Sequence, residues 1–196
     1  MGKTLKHLIR YFLGLDPAHS QTTVAERETL RRHAASRSRV AEIGVFEGLT
    51  SAILARAMAP DGILYAIDPF FPGRLGVCWG KFITRRETGR IRAQRKIVFV
   101  EKISSEAVTD VPGQLDFLFI DGDHSLEGIQ RDWADWSARI VPGGIVALHD
   151  TRVPDHNPDV AQLGSYQYFE SHIRCDSRYE LVEQVDSLSI LRRKSP

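Results

Sequence analysis

Val40-Ala-Glu-Ile-Gly-Val-Phe-Glu-Gly-Leu-Thr-Ser51 decides the fold. Val40, Ala41 and Ile43 form a short apolar run suited to a strand buried on both faces, and Gly44 and Gly48 leave the following turn without Cβ atoms. Thr50 or Ser51 is expected to cap a helix continuing through Ile53, Leu54 and Met58. Such a turn lets a flat, polar cofactor lie on bare backbone beside free helix N–H groups. Gly62-Ile-Leu-Tyr-Ala-Ile-Asp68 is a second apolar strand. It ends in a carboxylate about twenty residues past the turn, where a doubly wound fold places its ribose-binding acid.

Working outward, apolar strand candidates at 39–44, 62–68, 96–101, 115–121 and 144–149 alternate with helical stretches, the pattern of a parallel sheet covered by helices. Two helices are expected ahead of the sheet. Leu5, Leu8, Ile9, Phe12 and Leu13 recur at helical spacing, opposite Lys3, Lys6, His7 and Arg10, as far as Gly14. Thr23 to Ala35 carries acids early and Arg31, Arg32 and His33 late, matching the helix dipole. The basic stretch Lys81 to Lys96, with arginines at 85, 86, 90, 92 and 95, suits a solvated helix face, and Phe70, Phe71 and Trp79 could flank a ring.

The densest polar signal is Leu115-Asp-Phe-Leu-Phe-Ile-Asp-Gly-Asp-His124, with three ionisable groups at a strand's C-terminal end, where open α/β sheets bind ligands. Ser125 can cap the next helix, whose apolar face includes Ile129, Trp133 and Trp136. Pro142-Gly-Gly144 then turns into a strand ending at His149-Asp150. Adjacent parallel strands lie ~4.8 Å apart, so Asp121, Asp150 and either Asp123 or His149 can converge on Mg²⁺ or another hard divalent cation. Zinc fits less well, since no cysteine lies nearby. A polar, proline-broken loop over 151–159 follows, then a helix with Tyr166, Tyr168 and Phe169. Tyr179–Glu183 and Ser187–Leu191 suit a hairpin turning near Gln184 to Asp186.

The chain has 196 residues, 42% hydrophobic and 26% charged, with net charge +1. One domain is expected, comprising N-terminal helices (1–37), a cofactor-binding core (38–151) and a lid loop, helix and hairpin (152–196). Near-neutral charge gives no global reason to expect nucleic acid as a partner. Cys78 and Cys175 are far apart and suit two reduced thiols. The opening Met1-Gly-Lys-Thr-Leu-Lys6 has no apolar core of signal-peptide length, Lys6 stands where a myristoylation motif calls for Ser or Thr, and no segment has the ~18 apolar residues of a membrane span. A soluble, cytoplasmic protein is expected, with homodimerisation through the N-terminal helices.

Glu42-Ile-Gly-Val-Phe-Glu-Gly-Leu-Thr-Ser51, Ala66-Ile-Asp68, Phe119-Ile-Asp-Gly-Asp-His124 and Pro142-Gly-Gly-Ile-Val-Ala-Leu-His-Asp150 together resemble the class I S-adenosylmethionine-dependent methyltransferases. More narrowly they are similar to the small-molecule O-methyltransferase branch, with its catechol-type, macrocin-type and other sugar enzymes and cephalosporin-hydroxylase-like relatives. The resemblance covers roughly residues 39 to 151 and implies an α/β, Rossmann-like doubly wound sheet of seven strands, mostly parallel, closed by an antiparallel hairpin. It implies S-adenosylmethionine as cofactor, assisting Mg²⁺, and a small polyhydroxylated acceptor such as a sugar.

By the same resemblance Gly44, Phe46 and Gly48 meet the methionine part of the cofactor and Asp68 the ribose. Glu42 orients the turn or the cofactor's amino group, Ser104 and Ser105 contact adenine, and Ser51 and Asp121 complete the cofactor set. Asp121 and Asp150 correspond to the metal carboxylates, and Thr151 stands where the third ligand is usually Asn or Asp. The base falls at Asp123 or His124. Neutral imidazole, with a pKa near 6.5, makes His124 the better choice, with Asp123 and His149 behind it. The competing readings are an NAD-binding oxidoreductase, which calls for a tighter G-x-G-x-x-G turn than Gly44 to Gly48 supplies, and a non-catalytic cofactor-binding domain.

Overall fold

In the computed structural model, which describes residues 3–73, 75–90 and 97–195, five strands follow one another with helical crossovers. These are β1 (Arg39–Ile43), β2 (Ile63–Ile67), β3 (Ile97–Val100), β4 (Leu115–Ile120) and β5 (Ile140–Leu148). The hairpin β6 (Tyr179–Val185) and β7 (Leu188–Arg193) closes the sheet. Among the described residues the sheet has seven strands in the order β3-β2-β1-β4-β5-β7-β6, and β7 alone runs against the others. Met1, Gly2, the Lys3 and Thr4 side chains, Arg92, Arg95 and Lys96, all named above, lie outside the described residues.

The doubly wound architecture follows from the side-chain period of two along buried strands. In β4, Phe117 and Phe119 join one core with Leu30 and Leu54, while Leu118 and Ile120 join the other with Trp133, Trp136 and Phe169. The first core is covered by α2 (Val24–Ala34) and α3 (Leu49–Ala57). The second is covered by α5 (Ser104–Ala107), α6 (Leu126–Trp136) and α7 (Gly164–Ser171). The helix α1 (Lys3–Phe12) packs on α4 (Trp79–Gly89), buries Tyr11, and leaves Ile9, Phe12 and Leu13 exposed.

Two expectations are corrected locally. Pro142-Gly-Gly144 does not precede β5 but lies inside it: Ile140 already pairs with Leu115, and the extra residues are absorbed in an irregularity before Phe117 pairs with Ile145, with Gly143 at φ +76°. Neither Thr50 nor Ser51 caps α3. Gly48 does so in the left-handed region, because both hydroxyls are engaged below the turn. By contrast, Ser125 caps α6 through Gly128 N–H at 3.0 Å. Thr23 and Glu26 form a reciprocal capping box on α2.

Candidate active site

Strand order reverses between β1 and β4, and the crevice beyond such a point is where open α/β sheets bind ligands. Level register brings three strand ends together there. Ile43 pairs with Ile120 and Ile120 with Leu148, and the ladder continues as Asp121 N–H donates to Ile43 O (2.8 Å) and His149 N–H to Ile120 O (3.0 Å). Gly44, Asp121 and His149 therefore stand side by side.

A cavity of about 600 Å³ opens over these ends. Such a volume suits a cofactor-sized ligand. Gly44 and Phe46 line it, as do Asp68, Ser104 and Ser105, and at the far end Asp121, Asp123 and His124. Phe71 also lines it, whereas Phe70 is buried and Trp79 opens α4. Asp68 braces the turn: Oδ2 accepts from Val45 N–H (2.9 Å) and Phe46 N–H (3.1 Å), and Oδ1 from Phe70 N–H (2.7 Å). An ionised carboxylate has about four lone-pair directions, so an acceptor direction is left for a ligand.

Glu42, Gly48 and Ser51 do not line the cavity. Gly48 caps α3 against Thr84, where a Cβ would lie 2.8 Å from Thr84 Cγ2. Glu42 is fully buried and accepts from the Thr50 and Ser51 hydroxyls, which fixes the first turn of α3 beneath the site. Burial pushes Glu42 up from its ordinary 4.5 to about 8, with the charges of Asp121 and Asp68 adding to the effect and the two hydroxyls opposing it. The folded protein thus keeps a proton that the unfolded chain releases above pH 4.5, so this group's contribution to stability should fall as pH rises from about 4.5 to about 8. Glu42→Gln, the shape of the protonated acid, should flatten that slope; parallel denaturation curves for both proteins from pH 5 to pH 8.5 would contradict it.

At the other end, His149 is buried behind the strand ends. Its Nε2 faces Glu26 Oε2 at 3.3 Å, and its Nδ1 lies 3.1 Å from Asp121 Oδ1 and 3.5 Å from Asp150 Oδ1. Burial alone would lower its pKa, but Asp121, Glu26 and Asp150 outweigh it and push the imidazole up to about 11. Burial likewise raises Glu26, yet His149, Thr23 N–H and Ser187 hold it down at about 2. Asp121 Oδ1 and His149 Nδ1 nevertheless have no hydrogen-bond partner. His124 stands on the cavity side, with Nε2 3.7 Å from Asp121 Oδ1 and Nδ1 3.7 Å from Asp150 Oδ2. Asp123 caps the bend before α6 by accepting from Ser125 N–H at 2.9 Å. The Thr151 hydroxyl is buried and donates to Leu148 O at 3.0 Å.

Sequence reasoning missed two site residues. Glu26, legible as part of a capping box, also accepts from Ser187 N–H and Oγ at 2.8 Å while backing His149. Asp132 is buried, lines the cavity, and is held by the Ser104 hydroxyl; burial pushes it up to about 6. Nothing in its spacing separates it from the other acids of α6. Of the basic stretch, Lys81 and Arg85 pair with Glu101 and Arg90 with Glu87, while Arg86 lies over the Phe12 ring at 4.6 Å.

The family model described as a methyltransferase domain matches residues 41–151, more than half of the chain. The chain belongs to that family. Solved structures similar to this methyltransferase domain include an O-methyltransferase from Bacillus cereus in complex with SAH, 16% identical, with 99% of this chain and 92% of that one covered and a TM-score of 0.69. The O-methyltransferase TomG from Streptomyces achromogenes, in complex with SAM, is 16% identical over 100% and 91% of the two chains (TM-score 0.67). The SAH-bound methyltransferase PaMTH1 of Podospora anserina is 13% identical over 100% and 89% (TM-score 0.70). At such identities the likeness is one of fold, and the fold is the Rossmann-like class I methyltransferase sheet. A curated relative, the uncharacterized protein y4gI of Sinorhizobium fredii, is 25% identical over 145 residues, 70% of this chain, which spans 15% of that relative's length. Among the described residues no helix is long and apolar enough to cross a membrane.

Proposed function

We propose that this chain is an S-adenosylmethionine-dependent O-methyltransferase acting on a hydroxyl of a small polyhydroxylated acceptor, a sugar being the leading class, in the cytoplasm. The observation that carries this reading is one cavity joining Asp68 and Ser104 to the Asp121–His124 end. SAH and SAM in the Bacillus and Streptomyces structures support the cofactor. Asp68 would take the ribose, Ser104 and Ser105 would meet the adenine, and Gly44 and Phe46 would hold the methionine part. Turn geometry favours this over a dinucleotide.

We read the polar end as the place of a divalent cation. Asp121 Oδ1 and His149 Nδ1 are orphaned and face one another, Asp150 Oδ1 stands 3.5 Å from the same nitrogen, and Glu26 backs the imidazole as outer-shell carboxylates back metal-bound histidines. Asp121, Asp150 and His149 Nδ1 would hold it, and the buried Thr151 hydroxyl, spent on Leu148, would not. Bound there, Mg²⁺ would acidify the acceptor hydroxyl. His124, on the cavity side, is placed to take the acceptor proton, and the cofactor, bound along the turn, would supply the methyl group.

Calorimetry with S-adenosylmethionine, S-adenosylhomocysteine and NAD, followed by labelled methyl transfer over a sugar and metabolite panel, tests the reading; binding of NAD alone would overturn it. Asp68→Ala should weaken S-adenosylhomocysteine at least ~10-fold, since charge-assisted hydrogen bonds of ~1.5–3 kcal/mol to ligand and turn disappear together. Unchanged affinity in the folded variant would rule out that role.

A further inference from the structure

We infer that His7, His19 and Glu47 form a second metal site, built for a borderline ion such as Zn²⁺, which fastens the segment between α1 and α2 across the mouth of the cavity. Glu47 follows Phe46 in the glycine turn and is buried. Among the described residues its charged partners are two imidazoles, with His7 Nε2 3.1 Å from Oε2 and His19 Nδ1 4.0 Å from Oε1. One donor atom from each of the three residues lies within 4.8 Å of the others. The 3.1 Å separation is close to the ~3.3 Å edge of a tetrahedron with ~2.0 Å metal–donor bonds, and the 4.0 Å one, to the other carboxylate oxygen, is longer.

Glu47 carries a single charge, which one imidazolium or a metal ion can balance. The His7 and His19 rings stack with centroids 3.7 Å apart and planes 13° apart. Two like charges at that range repel by ~4 kcal/mol near a protein surface, so charging both rings while they stack is costly, whereas an ion can take both as neutral donors. Rings stacked this closely cannot both aim a lone pair at one ion, so binding turns the 57% exposed His19 side chain out of the stack while His7 and Glu47 stay in place. His7 Nδ1 is moreover buried without a hydrogen-bond partner, 3.5 Å from Asp16 Oδ2, and Asp16 is itself held by Arg10 at 2.8 and 2.9 Å. A carboxylate behind the outer nitrogen of an imidazole is the usual support of a metal-bound histidine. Two nitrogens and one carboxylate select a softer ion than Mg²⁺.

The placement gives the ion a role. His19, Ser20 and Gln21 line the same cavity as Phe46 and Asp68, so an ion joining His7 on α1, His19 and Glu47 pins three segments around its mouth. That role rests on the cavity being the cofactor site; the metal site does not.

Co²⁺ titration of chelator-treated protein, read by the visible absorption of four-coordinate Co²⁺ and competed with Zn²⁺, tests the site. The bands should appear in wild type and in Asp121→Asn, and should be lost in His7→Gln and His19→Gln, with Zn²⁺ affinity at least ~10-fold weaker in each. The His19 side chain is 57% exposed, so its replacement should leave the far-UV circular dichroism unchanged. Zn²⁺ should slow release of S-adenosylhomocysteine from wild type and leave His19→Gln unaffected. Co²⁺ bands untouched by both histidine variants, or lost only in Asp121→Asn, would overturn the site. Equal release rates with and without Zn²⁺ would overturn the clamp, and Co²⁺ bands in a protein that binds no S-adenosylhomocysteine would uphold the metal site while overturning the cofactor reading.

Discussion

Gly44→Ala should lower the melting temperature by on the order of 10 °C and remove measurable S-adenosylhomocysteine binding. A Cβ built on Gly44 would lie 1.9 Å from Asp121 O and 2.6 Å from Asp121 C, and the residue adopts φ +88°. Neither obstacle can be relieved by a rotamer change, because the opposing atoms are the backbone of the neighbouring strand end. Overpacking and a left-handed conformation together cost at least ~3 kcal/mol, and ~1 kcal/mol moves a domain of this size by ~2–4 °C. Gly143→Ala is the control: its φ is +76°, but nothing lies within 4 Å of the added carbon. It should lose only the conformational part. Melting of Gly44→Ala within ~2 °C of wild type would show that the strand ends can part, and the close approach of β1 and β4 would then not define the site.

His124→Ala should lower kcat by ~10²- to 10⁴-fold with little change in cofactor affinity, as expected when a general base is lost. His124 lines the cavity and stands between Asp121 and Asp150, whereas His149 is sealed behind them with Nε2 committed to Glu26. Chelation should likewise abolish turnover while sparing S-adenosylhomocysteine binding, and Mg²⁺ or Mn²⁺ should restore it. Full activity in chelator would remove the ion from the mechanism. Near-normal kcat in folded His124→Ala would move the base to Asp123, whose Oδ1 is shared with Ser125 N–H.

The sheet was legible because buried strands repeat every two residues and carry few polar atoms: the expected strand segments at 39–44 and 115–121 differ from the observed β1 and β4 by one residue at the C-terminal end, and 62–68 from β2 by one residue at each end. The start of β5 was not legible, since Pro-Gly-Gly reads as a turn whether it lies before a strand or in a bulge within one. Clustering of Asp121, His124, His149 and Asp150 could be foreseen from two polar strand ends, but their division of labour could not. Depth separates His149 from His124, and depth depends on Glu26, which is 123 residues away from His149 in sequence. Glu42 illustrates the same limit: its place in the motif is plain, yet only the surrounding burial turns it into a proton-holding brace.

The tie made by Glu26 also bears on how the molecule assembles. Its carboxylate joins α2 to His149 and, across 161 residues, to Ser187 in the turn of the last hairpin. Such distant partners are paired late, because closing long loops costs entropy before any contact rewards it. A chain emerging from the ribosome can build the parallel half of its sheet, with Glu26 and His149 already made, before Ser187 arrives to hold the second oxygen of Glu26. The final hairpin therefore fixes, from the far end of the sequence, a carboxylate that belongs to one of its first helices.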